Sequence, residues 1–134
     1  MIAVIGSNNM DLISYVQRMP EPGETLAMKD FSIAYGGKGA NQAVAAARMG
    51  ADILMLTAVG TDVFGQDIDV HLRAEGIRGD YIKHVDAPNG TASIWVDDTA
   101  QNRILIHKGA NALLNVQDIE RAAEDLRKCS MIIL

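Results

Sequence analysis

Short apolar runs without a polar break alternate along this chain with stretches of helical spacing. Ile2 to Ile5, closed by Gly6 and Ser7, offers no side chain to water, which predicts a strand buried on both faces inside a parallel sheet. Ile53 to Val59 and Met131 to Leu134 predict strands of the same kind. The alanine-rich stretch Gln42 to Met49, closed by Gly50, predicts a helix whose small side chains let it lie close to its sheet. Gln66 to Glu75, ending at Gly76, predicts a second helix. Val116 to Lys128 predicts a third, apolar at Val116, Ile119, Ala122, Ala123 and Leu126, with Asn115 placed to cap its start.

Other segments mix apolar and polar positions more evenly. Leu12 to Val16 and Thr25 to Ala34, separated by the turn-forming Met19-Pro-Glu-Pro-Gly23, predict half-exposed strands. Tyr81 to Val85 predicts a strand and Pro88-Asn-Gly90 a turn. Thr91 to Val96 and Arg103 to His107 predict a hairpin around Asp97 to Asn102 that joins the half-exposed strands in a small separate sheet. Strands alternating with helices through right-handed crossovers predict an α/β layered fold with a parallel sheet and a β-rich appendage. At 134 residues, one domain is the expectation. No turn, cap or polar tail follows Met131 to Leu134, so the chain reads as interrupted there.

Composition narrows the partners. With 49% hydrophobic and 22% charged residues the chain has a folding globular balance. Its net charge of −5 includes no basic run, which argues against nucleic acid and anionic membrane surfaces and for a small molecule. Cys129 is the single cysteine and His71, His84 and His107 are scattered, so neither a disulfide nor a zinc spacing is present. No apolar segment approaches the roughly 20 residues of a membrane span, and the cytoplasm is the expected location.

Two segments carry candidate chemistry. Gly6-Ser-Asn-Asn-Met-Asp11 follows the first predicted strand, at the sheet rim where open α/β folds bind ligands. There Asp11 can accept from hydroxyls and Asn9 can donate or accept, a pairing suited to a polyol; a plain polar turn is the competing reading. Gly36-Gly-Lys-Gly-Ala-Asn41 lets backbone approach a ligand and points a helix N-terminus and the Lys38 charge at it. It matches neither the P-loop nor the dinucleotide spacing, and a glycine-rich turn before a helix is its bland alternative.

Gly6-Ser-Asn-Asn-Met-Asp11, Pro22-Gly-Glu-Thr25, Gly36-Gly-Lys-Gly-Ala-Asn-Gln-Ala43, Val59-Gly-Thr-Asp62 with Gly65, and Gly109-Ala-Asn111 follow one another in a specific order and spacing. In that order the chain resembles, over nearly its whole length, the ribokinases of the PfkB carbohydrate kinase family. The resemblance implies a Rossmann-like layered sheet with a β-sheet lid, the lid drawn from roughly residues 12–35 and 91–107, and residues 1–134 forming the amino-terminal part of one kinase domain. It implies ATP-dependent phosphorylation of D-ribose to ribose 5-phosphate, with Mg²⁺ and a monovalent cation (K⁺), in a homodimer formed through the lid. Asn9 and Asp11 would hold sugar hydroxyls, Gly37 and Asn41 would line the sugar site, and Lys38 would face the transferring phosphoryl group.

The family's Gly-Ala-Gly-Asp motif, with its catalytic base, has no counterpart among these residues, nor do its ATP site, its cation loop or a late sugar-contacting Glu. No cofactor or metal ligand is therefore expected within the chain, and these residues alone are expected to be inactive. Fructokinase, deoxyribokinase and nucleoside kinase are the alternatives within the family, and a non-catalytic sugar-binding fragment is the alternative outside it.

Weaker signals remain. Ile94, Trp95 and Ile104-Leu-Ile106 are expected to pack within the sheet, with contact to a sugar or a partner lid as the alternative, and Cys129 to be a buried thiol. His107 and Lys108 lie near the last motif, and Glu120 to Lys128 reads as a solvated, ion-paired helix face.

Overall fold

The computed structural model describes residues 1–134 and contains eight strands and three α-helices. Strands β1 (Ile2–Ile5), β4 (Ile53–Gly60), β5 (Arg78–Val85) and β8 (Met131–Ile133) form an all-parallel sheet in the order β5-β4-β1-β8. Every residue of β4 is buried, as its unbroken apolar run requires of a central strand covered on both faces.

The pleat sends alternate residues to opposite layers. Val4, Ile53, Met55 and Val59 meet Ala40 and Ala43 of α1 (Lys38–Arg48) and Ile68 and Leu72 of α2 (Val63–Ala74). Ala3, Leu54 and Leu56 meet Ala122 and Leu126 of α3 (Val116–Lys128) on the other side. The α/β layered architecture predicted from the alternation is thus present.

The second sheet has the order β3-β2-β6-β7, built from β2 (Asn9–Tyr15), β3 (Asp30–Gly36), β6 (Thr91–Val96) and β7 (Asn102–His107). β2 pairs antiparallel with β3 and parallel with β6, and β6 and β7 form the predicted hairpin. Its pleat separates two faces. Asn9, Asp11 and Ile13 share one with Ala92, Ile94, Ile104 and Ile106, while Met10 and Leu12 turn into the core beside α1 and α2.

Several boundaries differ from the sequence reading. The strand expected from Leu12 starts at Asn9, so Asn9 and Asp11 lie in the second sheet and not in a loop at the rim of the first. The strand expected from Thr25 starts at Asp30, because the pairing with β2 ends at Tyr15 opposite Asp30. The chain before it folds back on itself, with Arg18 donating to both Glu24 carboxylate oxygens. The helix expected from Gln42 starts at Lys38, since Gly37 at φ 95° reverses the backbone in a single residue. Residues Gly109–Leu113, given no element by the sequence, form a short 3-10 turn.

Trp95 and Ile104-Leu105-Ile106 do not pack inside the sheet as expected; β7 is exposed along its whole length, with Leu105 71% exposed. An edge strand with no layer against it has nothing to bury its side chains. Cys129 is half-buried at the end of α3 and not a core thiol, its Sγ–H donating to the Asp125 carbonyl at 3.3 Å.

Candidate functional site

A cleft of about 700 Å³ opens between the carboxyl edge of the first sheet and one face of the second. All five sequence-predicted residues, Asn9, Asp11, Gly37, Lys38 and Asn41, line it. Asn9 and Asp11 come from β2, Gly37, Lys38 and Asn41 from the turn into α1 and its first turns, and Asn111 and Lys108 from the far wall. Ile94, Ile104 and Ile106 supply an apolar side. Polar groups facing an apolar wall suit a sugar, which carries hydroxyls along its edges and C–H groups on its faces.

Close backbone contact holds the floor in place. A Cβ on Gly39 would lie 2.7 Å from the Gly6 Cα, so only a glycine pair lets the turn after β1 meet the first turn of α1. The Ala40 N–H donates to the Ser7 carbonyl at 3.0 Å, tying helix to turn. No side chain caps the start of α1, and no ion-pair partner lies within 4.0 Å of the exposed Lys38. The positive end of the helix and a free ammonium therefore face the same space, an arrangement that favours an anion.

Asp11 is half-buried, and burial raises its carboxyl above the ordinary aspartate value, with no hydrogen bond or cation offsetting it. A carboxylate partly removed from water and left without a partner is poised to accept from ligand hydroxyls.

A buried polar network lies behind the cleft. Asn8 and Asn89 are both 0% exposed, and sequence reasoning missed them. Asn8 donates through Nδ2 to Thr57 Oγ1 at 2.8 Å and to the Ala58 carbonyl at 2.7 Å. Asn89 Oδ1 accepts from the Gly60 N–H at 3.0 Å, and the Asn89 N–H donates to Asp62 Oδ2 at 2.9 Å. In the sequence both read as ordinary loop asparagines. Asn111 was visible only as the end of the Gly109-Ala-Asn motif.

No three His, Cys, Asp or Glu side chains converge anywhere in the chain. No helix is long and apolar enough to cross a membrane.

Fold and cleft define a class: a parallel α/β sheet with a polar pocket at its carboxyl edge, roofed by a small β-sheet. Comparison with known proteins narrows that class. The model of the pfkB family of carbohydrate kinases matches residues 1–134. Deoxyribokinase of Salmonella typhi is 52% identical over 134 residues, covering 99% of this chain and 44% of its own length. The structure of ribokinase from Giardia lamblia matches with a TM-score of 0.89 and 38% identity, over 98% of this chain and 40% of that one. The structure of Arabidopsis thaliana ribokinase complexed with ribose and ATP matches with a TM-score of 0.81 and 30% identity, over 98% and 43%. The chain belongs to the PfkB carbohydrate kinase family, has the ribokinase-like fold, and spans less than half the length of these relatives.

Proposed function

We propose that residues 1–134 form the sugar-binding part and lid of a kinase that transfers the γ-phosphoryl group of ATP to a hydroxyl of a pentose. The observation that carries this reading is the convergence of Asp11 and Asn9, from the second sheet, with Asn41 and Lys38, from the start of α1 beside the first sheet, on one cleft. Asp11 accepts hydroxyl protons, Asn9 and Asn41 complete the hydrogen bonding, and the isoleucine face excludes water from the sugar carbons. Lys38 and the start of α1 stabilise charge that shifts on the phosphoryl group, the form of assistance phosphoryl transfer uses most. ATP, when bound, supplies the phosphoryl group, with Mg²⁺ accompanying its phosphates and K⁺ acting outside these residues.

D-ribose is the substrate proposed from the motif pattern. A second reading, 2-deoxy-D-ribose, is favoured by the 52% identity with the Salmonella typhi deoxyribokinase, against 38% with the Giardia lamblia ribokinase. We also propose that the second sheet is the homodimer contact. Its edge strands β3 and β7 are unpaired on their outer sides, and Phe31, Ile33 and Leu105 are exposed there. A cytoplasmic location is proposed on the single cysteine, Cys129, which allows no intrachain disulfide and suits a reducing compartment.

Steady-state phosphorylation of ribose, 2-deoxyribose, fructose and adenosine by the full-length protein tests the reading. Expected is a pentose kcat/KM at least about tenfold above fructose and adenosine, since a missing or misplaced hydroxyl leaves a buried polar group unpaired. In the same assay Lys38→Met lowers kcat more than it raises the sugar KM. Phosphorylation of neither pentose overturns the proposal.

A further inference from the structure

The structure assigns Asn111 as the positioning residue that turns the Asn9 amide so that its N–H₂ group, and not its oxygen, faces the cleft. This rests on the sugar-cleft reading above. The two ends of an asparagine amide have nearly the same shape, so its orientation follows from its partners. For Asn111 those partners are backbone groups of fixed polarity. Its Oδ1 accepts from the Asn8 N–H at 3.0 Å and its Nδ2 donates to the Asn8 carbonyl at 2.7 Å. Rotating the amide by half a turn would set donor against donor and acceptor against acceptor.

The same Nδ2 lies 3.1 Å from Asn9, so the atom it meets there is the oxygen, Oδ1. The Asn9 Nδ2 is left pointing away, on a residue that lines the cleft.

Asn111 can act in this way because the peptide it grips is held from behind. Asn8 Oδ1 accepts from Asn89 Nδ2 at 3.2 Å, and Asn89 is itself oriented by the Gly60 N–H and by the Gly90 carbonyl, each at 3.0 Å. Gly90 keeps the space for the last link open. A Cβ there would lie 2.5 Å from Asn9 Oδ1 and 2.8 Å from the Asn8 carbonyl oxygen, as well as overlapping Asn111 Nδ2.

The result is a strand face with a donor at position 9 and an acceptor at position 11, two residues or roughly 7 Å apart along β2. It reads a ligand oxygen through its lone pair at Asn9 and a hydroxyl through its proton at Asp11. With the amide reversed, two acceptors would stand side by side and compete for hydroxyl protons.

Asn111→Asp in the full-length protein tests the assignment. The new carboxylate still accepts from the Asn8 N–H but offers nothing to Asn9 Oδ1, so the Asn9 amide reverses to donate to it. Affinity is read with D-ribose, its single deoxy derivatives and the matching fluoro derivatives, because fluorine accepts weakly and cannot donate. In the unaltered protein one fluoro sugar binds better than its deoxy counterpart. Asn111→Asp erases that preference and raises the ribose Kd by about tenfold or more. Asn9→Asp keeps the bond from Asn111 Nδ2 while removing the cleft donor, and gives the same loss of preference should Asn111→Asp fold poorly.

Water exchange of the Asn9 side-chain amide protons, followed by NMR, needs no sugar. Exchange is fast in the unaltered protein and slowed in Asn111→Asp. An unchanged ribose Kd, a fluoro preference that survives both substitutions, or Asn9 amide protons already protected in the unaltered protein overturns the assignment. Absence of pentose binding by the unaltered protein, with the exchange pattern as expected, defeats the sugar reading and leaves the orientation of Asn9 standing.

Discussion

Asp11 concentrates the tension between stability and binding. Its carboxyl is raised by burial alone, so the folded chain holds that proton more tightly than the unfolded chain does. The contribution to stability is therefore greatest at acid pH and is lost as pH rises through the raised value. Binding runs the other way, because the ionised form accepts sugar hydroxyls through both oxygens and more strongly than the protonated form, which gives up part of that capacity to its own O–H. Asp11→Asn is expected to abolish most sugar affinity while matching or exceeding the parent melting temperature at pH 7, a difference that closes below pH of about 4. Calorimetric titration and thermal melts across that range check both halves; a large drop in melting temperature at pH 7 would make Asp11 a structural residue. Glu24 behaves oppositely. The Arg18 guanidinium, helped by the Glu21 N–H, holds its carboxyl down at about 2, so the turn loses that contact only in strong acid.

At the scale of elements, α3 shows how a short local signal predicts structure. Asn115 Oδ1 accepts from the Asp118 N–H, and the Asp118 carboxylate accepts from the Asn115 N–H and from Lys83 Nζ. Those contacts hold Asp118 below the ordinary carboxylate range, the Lys83 hydrogen bond first among them. Asn115→Ala should cost about 1 kcal/mol in chemical denaturation, the usual cost of losing such a cap. An unchanged midpoint would show that tertiary packing alone sets this helix start.

The same locality explains what the sequence could and could not disclose. The central strands, α3 and the β6-β7 hairpin were legible, since periodicity and turn residues act within a dozen positions. The start of β2 was not. Asn9 to Tyr15 become strand through pairing with β3 and with β6, the latter some eighty residues away, and no local pattern announces a partner that distant. α1 began earlier than its alanines suggested because Gly37 completes the turn by itself. Asn8 and Asn89 escaped notice for a related reason: a buried asparagine and a solvated one look alike until the carbonyls and N–H groups around them are placed.

For the whole molecule, the arrangement of the two sheets makes the site. The parallel sheet carries the turn after β1 and the start of α1 to one edge, and the second sheet lays Asn9, Asp11 and its isoleucines over that edge. Neither sheet alone lines the whole cleft, so the central claim is that the ligand lies between them. A crystal structure of the full-length protein with D-ribose or 2-deoxy-D-ribose tests this most directly. The account predicts the sugar in this cleft, with a hydroxyl within about 3 Å of Asp11, its carbon face toward Ile94 and Ile106, and the phosphoryl-accepting hydroxyl on the side of Lys38. A pentose bound elsewhere, or in the cleft without touching Asp11, would contradict it.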